Sequence, residues 1–385
     1  ASADHYSKYK QGNVKVVEKN QEESCGSGAY QIKSYDKASG ASFVRNEEFK
    51  REKGQYQVDQ IIIKKTDVTT EVSELKKGTV DLIPEVIETN KVSEASQDKN
   101  MAFNYYSRSA VGFVAMNANN GATADKAVRQ ALMYATDRQG FCDSYFGWDK
   151  KASDEVKKVE GGYVPAAYWS PASVNCGAVV RNEETIDGLN TYAFDMDKAN
   201  QVLDEAGWVR GADGIREKDG QKLTVRMVST KGKDQLDTML PMLEKAWGDE
   251  LGVDFKTNLS EFNTMMATVQ GDDTVNDWEV SYMGWQFGSG DDTGINLLCQ
   301  TGQTDNTARL SDPDLDALLD TALHTTDQAA STAAYKEVYE KVSALCPYVA
   351  INGLSYYDLY NKKIKNLDTA ALYDFVKALD KATIE

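Results

Sequence analysis

The stretch from Gln221 to Asp292 constrains the fold more than any other part of the chain. In "KLTVRMVS", Leu223, Val225 and Met227 alternate on one face with period two, which specifies a strand. Leu236, Met239, Leu240, Leu243 and Trp247 then recur every three or four residues, the spacing of a helix face. Leu251, Val253 and Phe255 alternate again, and "EFNTMMATVQG" supplies a second helix ended by Gly271. Trp278, Val280 and Tyr282 alternate into "MGWQFGSGDD". The order β-α-β-α-β needs crossover connections, so an α/β fold is expected, with mixed, mostly parallel sheets and helices on both faces.

Other segments read as local units. "TADKAVRQALMYATDRQGF" places Val128, Ala131, Leu132 and Ala135 on one helix face, with Thr123 as the expected N-cap. "FDMDKANQVLDEAGW" takes Asp195 as N-cap and stops at Gly207. "SDPDLDALLDTAL" starts at Ser311, with Pro313 in the first turn, where its missing N–H does no harm. "VDQIIIKK" reads as a buried strand through Ile61, Ile62 and Ile63, followed by a short helix, a Gly78 turn and a strand through Val80 and Leu82. The aromatic-sprinkled region from Asp149 to Asn190 reads as long loops over a domain surface.

Composition narrows the function. A chain of 385 residues is long enough for two or three domains. Its net charge of −17 argues against a nucleic-acid partner, because phosphate binding needs clustered Lys and Arg. No run of 18 apolar residues is present to span a bilayer. The five cysteines are scattered without CxxC spacing or a nearby His, so no metal site is expected. A disulfide would suit an exported protein, with Cys142–Cys176 the expected pair. The two histidines, His5 and His324, offer no triad, and His324 is placed to decorate a helix C-terminus.

"GSGDDTG" follows a strand as a phosphate loop would, but Asp291 and Asp292 would repel a phosphate there. Adjacent aspartates usually point apart, so they make a poor pair for glycoside hydrolysis, which needs acids facing each other roughly 5–10 Å apart. Asp312, Asp314, Asp316 and Asp320 invite a calcium loop, yet Ala317 and Leu323 occupy the places that need Gly and Glu. Helix N-terminal acids explain that cluster. Trp285 stands just past the carboxyl end of a parallel strand, where ligands sit in open α/β sheets.

Taken together, "ESCGSGAYQIKSYD", "ELKKGTVDLIPEV", "GFVAMNANNGATADKAVRQALMYATDR", "FDMDKANQVLDEAGW", "DWEVSYMGW", "LSDPDLDALLDTA" and "YKEVYEKVSALCPYVAI" resemble, in order, the family 5 extracellular solute-binding proteins of ABC importers. The resemblance implies a type II periplasmic-binding-protein-like fold of two lobes. It assigns residues 1–110 with 350–385 to a partial lobe I and residues 111–349 to a C-terminal lobe. It further implies that a leading portion, with its signal or lipoprotein segment, lies outside the chain.

The implied function is extracytoplasmic binding of a solute, most simply a peptide, and its delivery by lobe closure to an ABC permease. No catalysis and no cofactor are implied, and the expected state is a monomer. An oligosaccharide or metal chelate on the same fold is the alternative, and a secreted hydrolase using Asp291 or Asp292 a more distant one. The implied ligand-binding set is Met283, Gly284, Trp285, Gln286, Phe287, Gly288, Asp291, Asp292, Lys231, Lys233 and Asn117. Peptide-binding members carry an Asp for the ligand's α-amino group three places after the tryptophan, where this chain has Gly288. Lys231 or Lys233 would meet a peptide carboxylate, and Arg129 would tie its helix to neighbours.

Overall fold

The computed structural model describes residues 26–159, 161–288 and 294–385. The described residues divide into two compact units, one of residues 26–106, 148–159 and 356–385, the other of residues 107–147 and 161–355.

The first unit opens with β1 (Tyr30–Asp36), β2 (Gly40–Arg45) and β3 (Gln60–Lys64), an antiparallel sheet. Ile62 and Ile63 of β3 are exposed, at 69% and 50%, against the expectation of a buried strand. Three short strands offer no second layer, so an apolar run here lies at a sheet edge rather than in a core. Helix α1 (Glu71–Lys77) ends at Gly78, whose φ of 73° lets its N–H reach back to the last turn. β4 (Leu82–Val86) follows. The core of this unit joins Val72, Leu75, Ile83, Val92, Val156, Tyr357 and Leu359.

Two long strands, β5 (Met101–Met116) and, near the end of the chain, β9 (Tyr348–Asn361), each begin in one unit and end in the other. Within the first unit β9 pairs antiparallel with β4, and the register slips between Tyr357↔Val86 and Leu359↔Ile83. Glu85 sits in that slip with a left-handed φ of 57°. Its N–H donates to Asp358 Oδ1 at 2.9 Å, and Asp358 is fully buried. A buried carboxyl thus holds the bulge.

In the second unit β6 (Thr224–Thr230), α3 (Asp234–Leu243), β7 (Asp254–Ser260), α4 (Phe262–Gln270) and β8 (Val280–Gln286) realise the expected β-α-β-α-β order. An earlier helix, α2 (Lys126–Tyr134), and two later ones, α5 (Pro313–His324) and α6 (Gln328–Leu345), complete the helices used below. The strand order is β7-β6-β8-β5-β9. β6 pairs parallel with both β7 and β8, and β8 pairs antiparallel with β5, so parallel pairing is confined to three strands of a mixed sheet. After α3 the chain widens into a π-helical turn, Glu244–Glu250, just past Pro241, which supplies no N–H to an α-helical ladder.

Two caps differ from expectation by one or two residues. Asp125, not Thr123, caps α2, accepting from Ala127 N–H at 2.9 Å, while the Thr123 hydroxyl donates to the Asn117 carbonyl. Asp312, not Ser311, caps α5 through Leu315 N–H; Asp314 and Asp316 lie in the helix's first turn, while Asp320 lies in its later half. Asp195 caps its helix as expected, and His324 Nδ1 meets the Asp320 carbonyl at the end of α5. Asp125 also accepts from Lys218 and from Trp208 Nε1. Asp125→Ala should therefore cost about 2 kcal/mol, the upper range for an N-cap, and Asp125→Asn much less, in chemical denaturation of the purified chain.

The segment up to Asn190 is irregular, but it is not a surface covering. Tyr168, Trp169, Cys176, Val179 and Val180 are buried in the second unit. Aromatic bulk without periodicity packs into a core as readily as a helix face does. Cys142 and Cys176 are buried and are not bridged to each other, and Cys25 lies outside the described residues.

Candidate functional site

Parallel strands β6, β7 and β8 all end at one edge of the second unit, at Thr230, Ser260 and Gln286. The register Tyr282↔Val114, Gly284↔Gly112, Gln286↔Ala110 puts these six residues on one face of the β8–β5 pair. Arg108, two residues before Ala110 on the same strand, continues that face. Met283, Trp285 and Phe287 take the other.

The first face is polar and hollow. Gly284 opposite Gly112 leaves no side chain on either strand at that level. The Tyr282 hydroxyl lies 3.0 Å from Asn352 Oδ1 and 3.3 Å from Gln235 Oε1. One hydroxyl proton serves one acceptor, and Asn352 Nδ2 is buried without a bond. The opposite amide orientation of Asn352 gives an unbroken chain, Nδ2–H to Tyr282 Oη and Tyr282 O–H to Gln235. Burial raises the Tyr282 pKa, so the hydroxyl keeps its proton. Gly112 makes room for this contact, since a Cβ there would stand 2.4 Å from Asn352 Oδ1 and 2.7 Å from Tyr282 Oη.

Lys233, the residue before α3, is half-buried beside this face. Desolvation lowers its pKa, and the like charge of Arg108 lowers it further. Among the described residues its ammonium makes no hydrogen bond or ion pair. Lys231, by contrast, is exposed and paired with Glu261 at 2.9 Å.

The second face is apolar. Met283 and Phe287 are buried in the main core of the unit, and Trp285 is half-buried against it. The Phe287 ring lies 4.6 Å from that of Trp169, and its N–H donates to the Ser109 carbonyl at 2.8 Å. Gln286 and Gly288 are exposed. Gly288 has nothing within 4 Å of a would-be Cβ and no left-handed φ, so the backbone does not require glycine there. Asp291 and Asp292 lie outside the described residues.

Asn117 stands apart from this group. It follows the far end of β5, where its amide donates to the Val275 and Trp278 carbonyls and its Oδ1 accepts from Asn119 N–H. That side chain is a loop fastener, fully buried, at the end of the sheet opposite to Gln286. Arg129 is structural as expected, donating to the carbonyls of Leu345, Thr123 and Ala124.

Four residues of the polar face escaped the sequence reading: Arg108, Gln235, Tyr282 as a hydrogen-bonding group, and Asn352. The one available signal was Gly112, an isolated glycine in an apolar strand, which marks a close approach. Among the described residues no group of three or more His, Cys, Asp or Glu could hold a metal ion, and no helix is long and apolar enough to cross a membrane.

The family model for bacterial extracellular solute-binding proteins, family 5 Middle, matches residues 2–332. The chain belongs to this family. Relatives include the oligopeptide-binding protein AppA of Bacillus subtilis, 23% identical over 349 residues, covering 88% of this chain and 59% of the relative. Heme-binding protein A of Haemophilus influenzae is 24% identical over 333 residues, 85% of this chain and 54% of its own length. The chain thus spans little more than half the length of these curated relatives. Among solved structures, B. subtilis AppA in complex with a nonapeptide superposes with a TM-score of 0.76 at 19% identity, over 100% of this chain and 71% of that one. Lactococcal OppA with an endogenous peptide gives 0.79 at 16% identity, over 100% and 70%. NikA from Brucella suis in complex with Fe(III)-EDTA gives 0.74 at 21% identity, over 94% and 68%. These likenesses establish the type II periplasmic-binding-protein fold.

Proposed function

We propose that the chain is the ligand-holding part of an extracytoplasmic receptor that passes a peptide to an ABC permease by lobe closure, as a monomer and without catalysis. The two compact units correspond in this reading to part of lobe I and to the C-terminal lobe. Family membership and the peptide-binding relatives support the class. The observation that carries the ligand chemistry is Lys233, a half-buried ammonium with no bonded partner among the described residues and a like charge beside it. Such a group gains most from an incoming anion, and the C-terminal carboxylate of a peptide supplies one.

Binding of trialanine and of its C-terminal amide should be compared by calorimetry. The free carboxylate should bind at least about tenfold more tightly, and Lys233→Met should erase the difference. Equal binding of acid and amide would remove the carboxylate from this site. The same cations favour a second reading, an anionic metal chelate. If Fe(III)-EDTA binds and no peptide does, the chelate reading replaces the first.

A further inference from the structure

A separate cavity of about 450 Å³ opens at the other end of the second unit, within the size range of small-molecule sites. Asn119, just past β5, lines it with Gln270 and Asp272 at the end of α4 and the loop from Thr301 to Ser311. None of these residues belongs to the strand-end face carrying Lys233.

The wall is built rather than loose. Asn306 is buried, and its amide donates to the Gln300 and Leu310 carbonyls while its Oδ1 accepts from Leu310 N–H. The Tyr348 hydroxyl accepts from Ala308 N–H at 2.8 Å, and Ala308 in turn accepts from Ala118 N–H at 2.7 Å. Arg309 follows with a left-handed φ of 53°, a conformation that side-chain-bearing residues rarely hold without a reason. Its guanidinium is fixed by Asp272 at 2.6 Å and by the Gln270 and Gly271 carbonyls at 2.8 and 2.9 Å. Its Nε–H is left buried with no acceptor. A buried donor of this kind is open to an acceptor, supplied by water or by a bound molecule.

The Arg309 and Asp272 charges offset each other, so the lining is close to neutral. Asn119, Gln270 and Thr304 add side chains that make no intramolecular bond among the described residues and that can bond to hydroxyl groups. We infer that this cavity binds a small neutral, hydroxyl-rich molecule of mono- or disaccharide size, at a site separate from the strand-end one.

The test is calorimetric titration of the purified chain with trehalose, maltose and sucrose, followed by hydrogen exchange. At least one sugar should bind saturably and slow exchange across residues 300–311. Thr304→Trp fills the cavity without touching the Arg309 anchor and should weaken binding by at least about tenfold. Arg309→Lys, which loses Nε, should weaken it as well, with folding of both variants checked by circular dichroism. No saturable binding by any of the three sugars, unchanged affinity in Thr304→Trp, or protection confined to the strand-end residues would each overturn the inference. Peptide binding through Lys233 is expected to be unaffected by Thr304→Trp, which keeps the two sites distinguishable.

Discussion

Replacing Gly112 with Ala should cost the second unit about 2–3 kcal/mol, whereas Gly284→Ala, directly across the strand pair, should stay within about 0.5 kcal/mol of wild type. The contrast follows from what each new methyl would meet. At Gly112 it falls on two buried polar atoms, 2.4 Å from Asn352 Oδ1 and 2.7 Å from Tyr282 Oη, and neither can turn away without losing the other. At Gly284 the nearest atom is the Val111 carbonyl oxygen at 4.0 Å. The two variants also separate packing from recognition. Gly284→Ala fills the hollow without disturbing its frame, so it should weaken trialanine binding while leaving the denaturation midpoint alone. Equal midpoints for both variants would show that the Tyr282–Asn352 contact is soft.

The second large effect is expected at Asp358. Burial raises its pKa, the Thr369 hydroxyl and the Glu85 N–H oppose this, and the charge on Asp374 adds to it. The Asp358 Oδ2 and Thr369 Oγ1 atoms nevertheless lack a well-formed bond, so the opposing effect of the hydroxyl is weak. A carboxyl raised in the folded state stabilises the fold fully below its unfolded pKa, about 3.9, and that contribution is lost as pH rises through the folded value.

Asp358→Asn keeps an oxygen for the Glu85 N–H and cannot ionise. It should match wild type in acid and exceed it by about 1–3 kcal/mol once wild type is ionised. Asp358→Ala, which abandons the Glu85 N–H in its left-handed bulge and likewise cannot ionise, should lose about 1–3 kcal/mol in acid, a deficit that shrinks as wild type ionises. Two units need not unfold together, so protection of the Glu85 amide against hydrogen exchange is the proper readout. Parallel wild-type and Asp358→Asn profiles across the acid and neutral range would mean that Asp358 does not titrate there.

The parts of the fold legible in the sequence were those whose physics is local. Leu223, Val225 and Met227 must face one side of a strand, and Leu236, Met239 and Leu243 one side of a helix, whatever else the chain does. The Ile61–Ile63 run misled because apolarity fixes a preference for cover, not whether a second layer exists. The caps moved to Asp125 and Asp312 because hydroxyl and carboxylate candidates stood within two residues of each other, and only tertiary bonds such as Trp208 to Asp125 favour one. At the site, the strand-end residues from Met283 to Gly288 and Lys233 could be read from the β-α-β-α-β order. Arg108 and Asn352 could not, because only the register of β8 on β5 and the placement of β9 bring them to Tyr282, and Gln235 could not, because a helix-start residue 47 positions from Tyr282 carries no local sign of that contact. Asn117 was misplaced for the converse reason. Its strand runs antiparallel to β8, so its end of the strand lies away from the edge where Gln286 stands.

Gly288 carries a consequence at the level of the gene. A glycine codon ending in a pyrimidine becomes an aspartate codon by a single base change. The position has ordinary backbone geometry and open space, so the folded protein sets no barrier to that change. An acid can therefore be gained or lost just past β8 in one mutational step, and on the proposed reading that step would change the charge offered to a ligand.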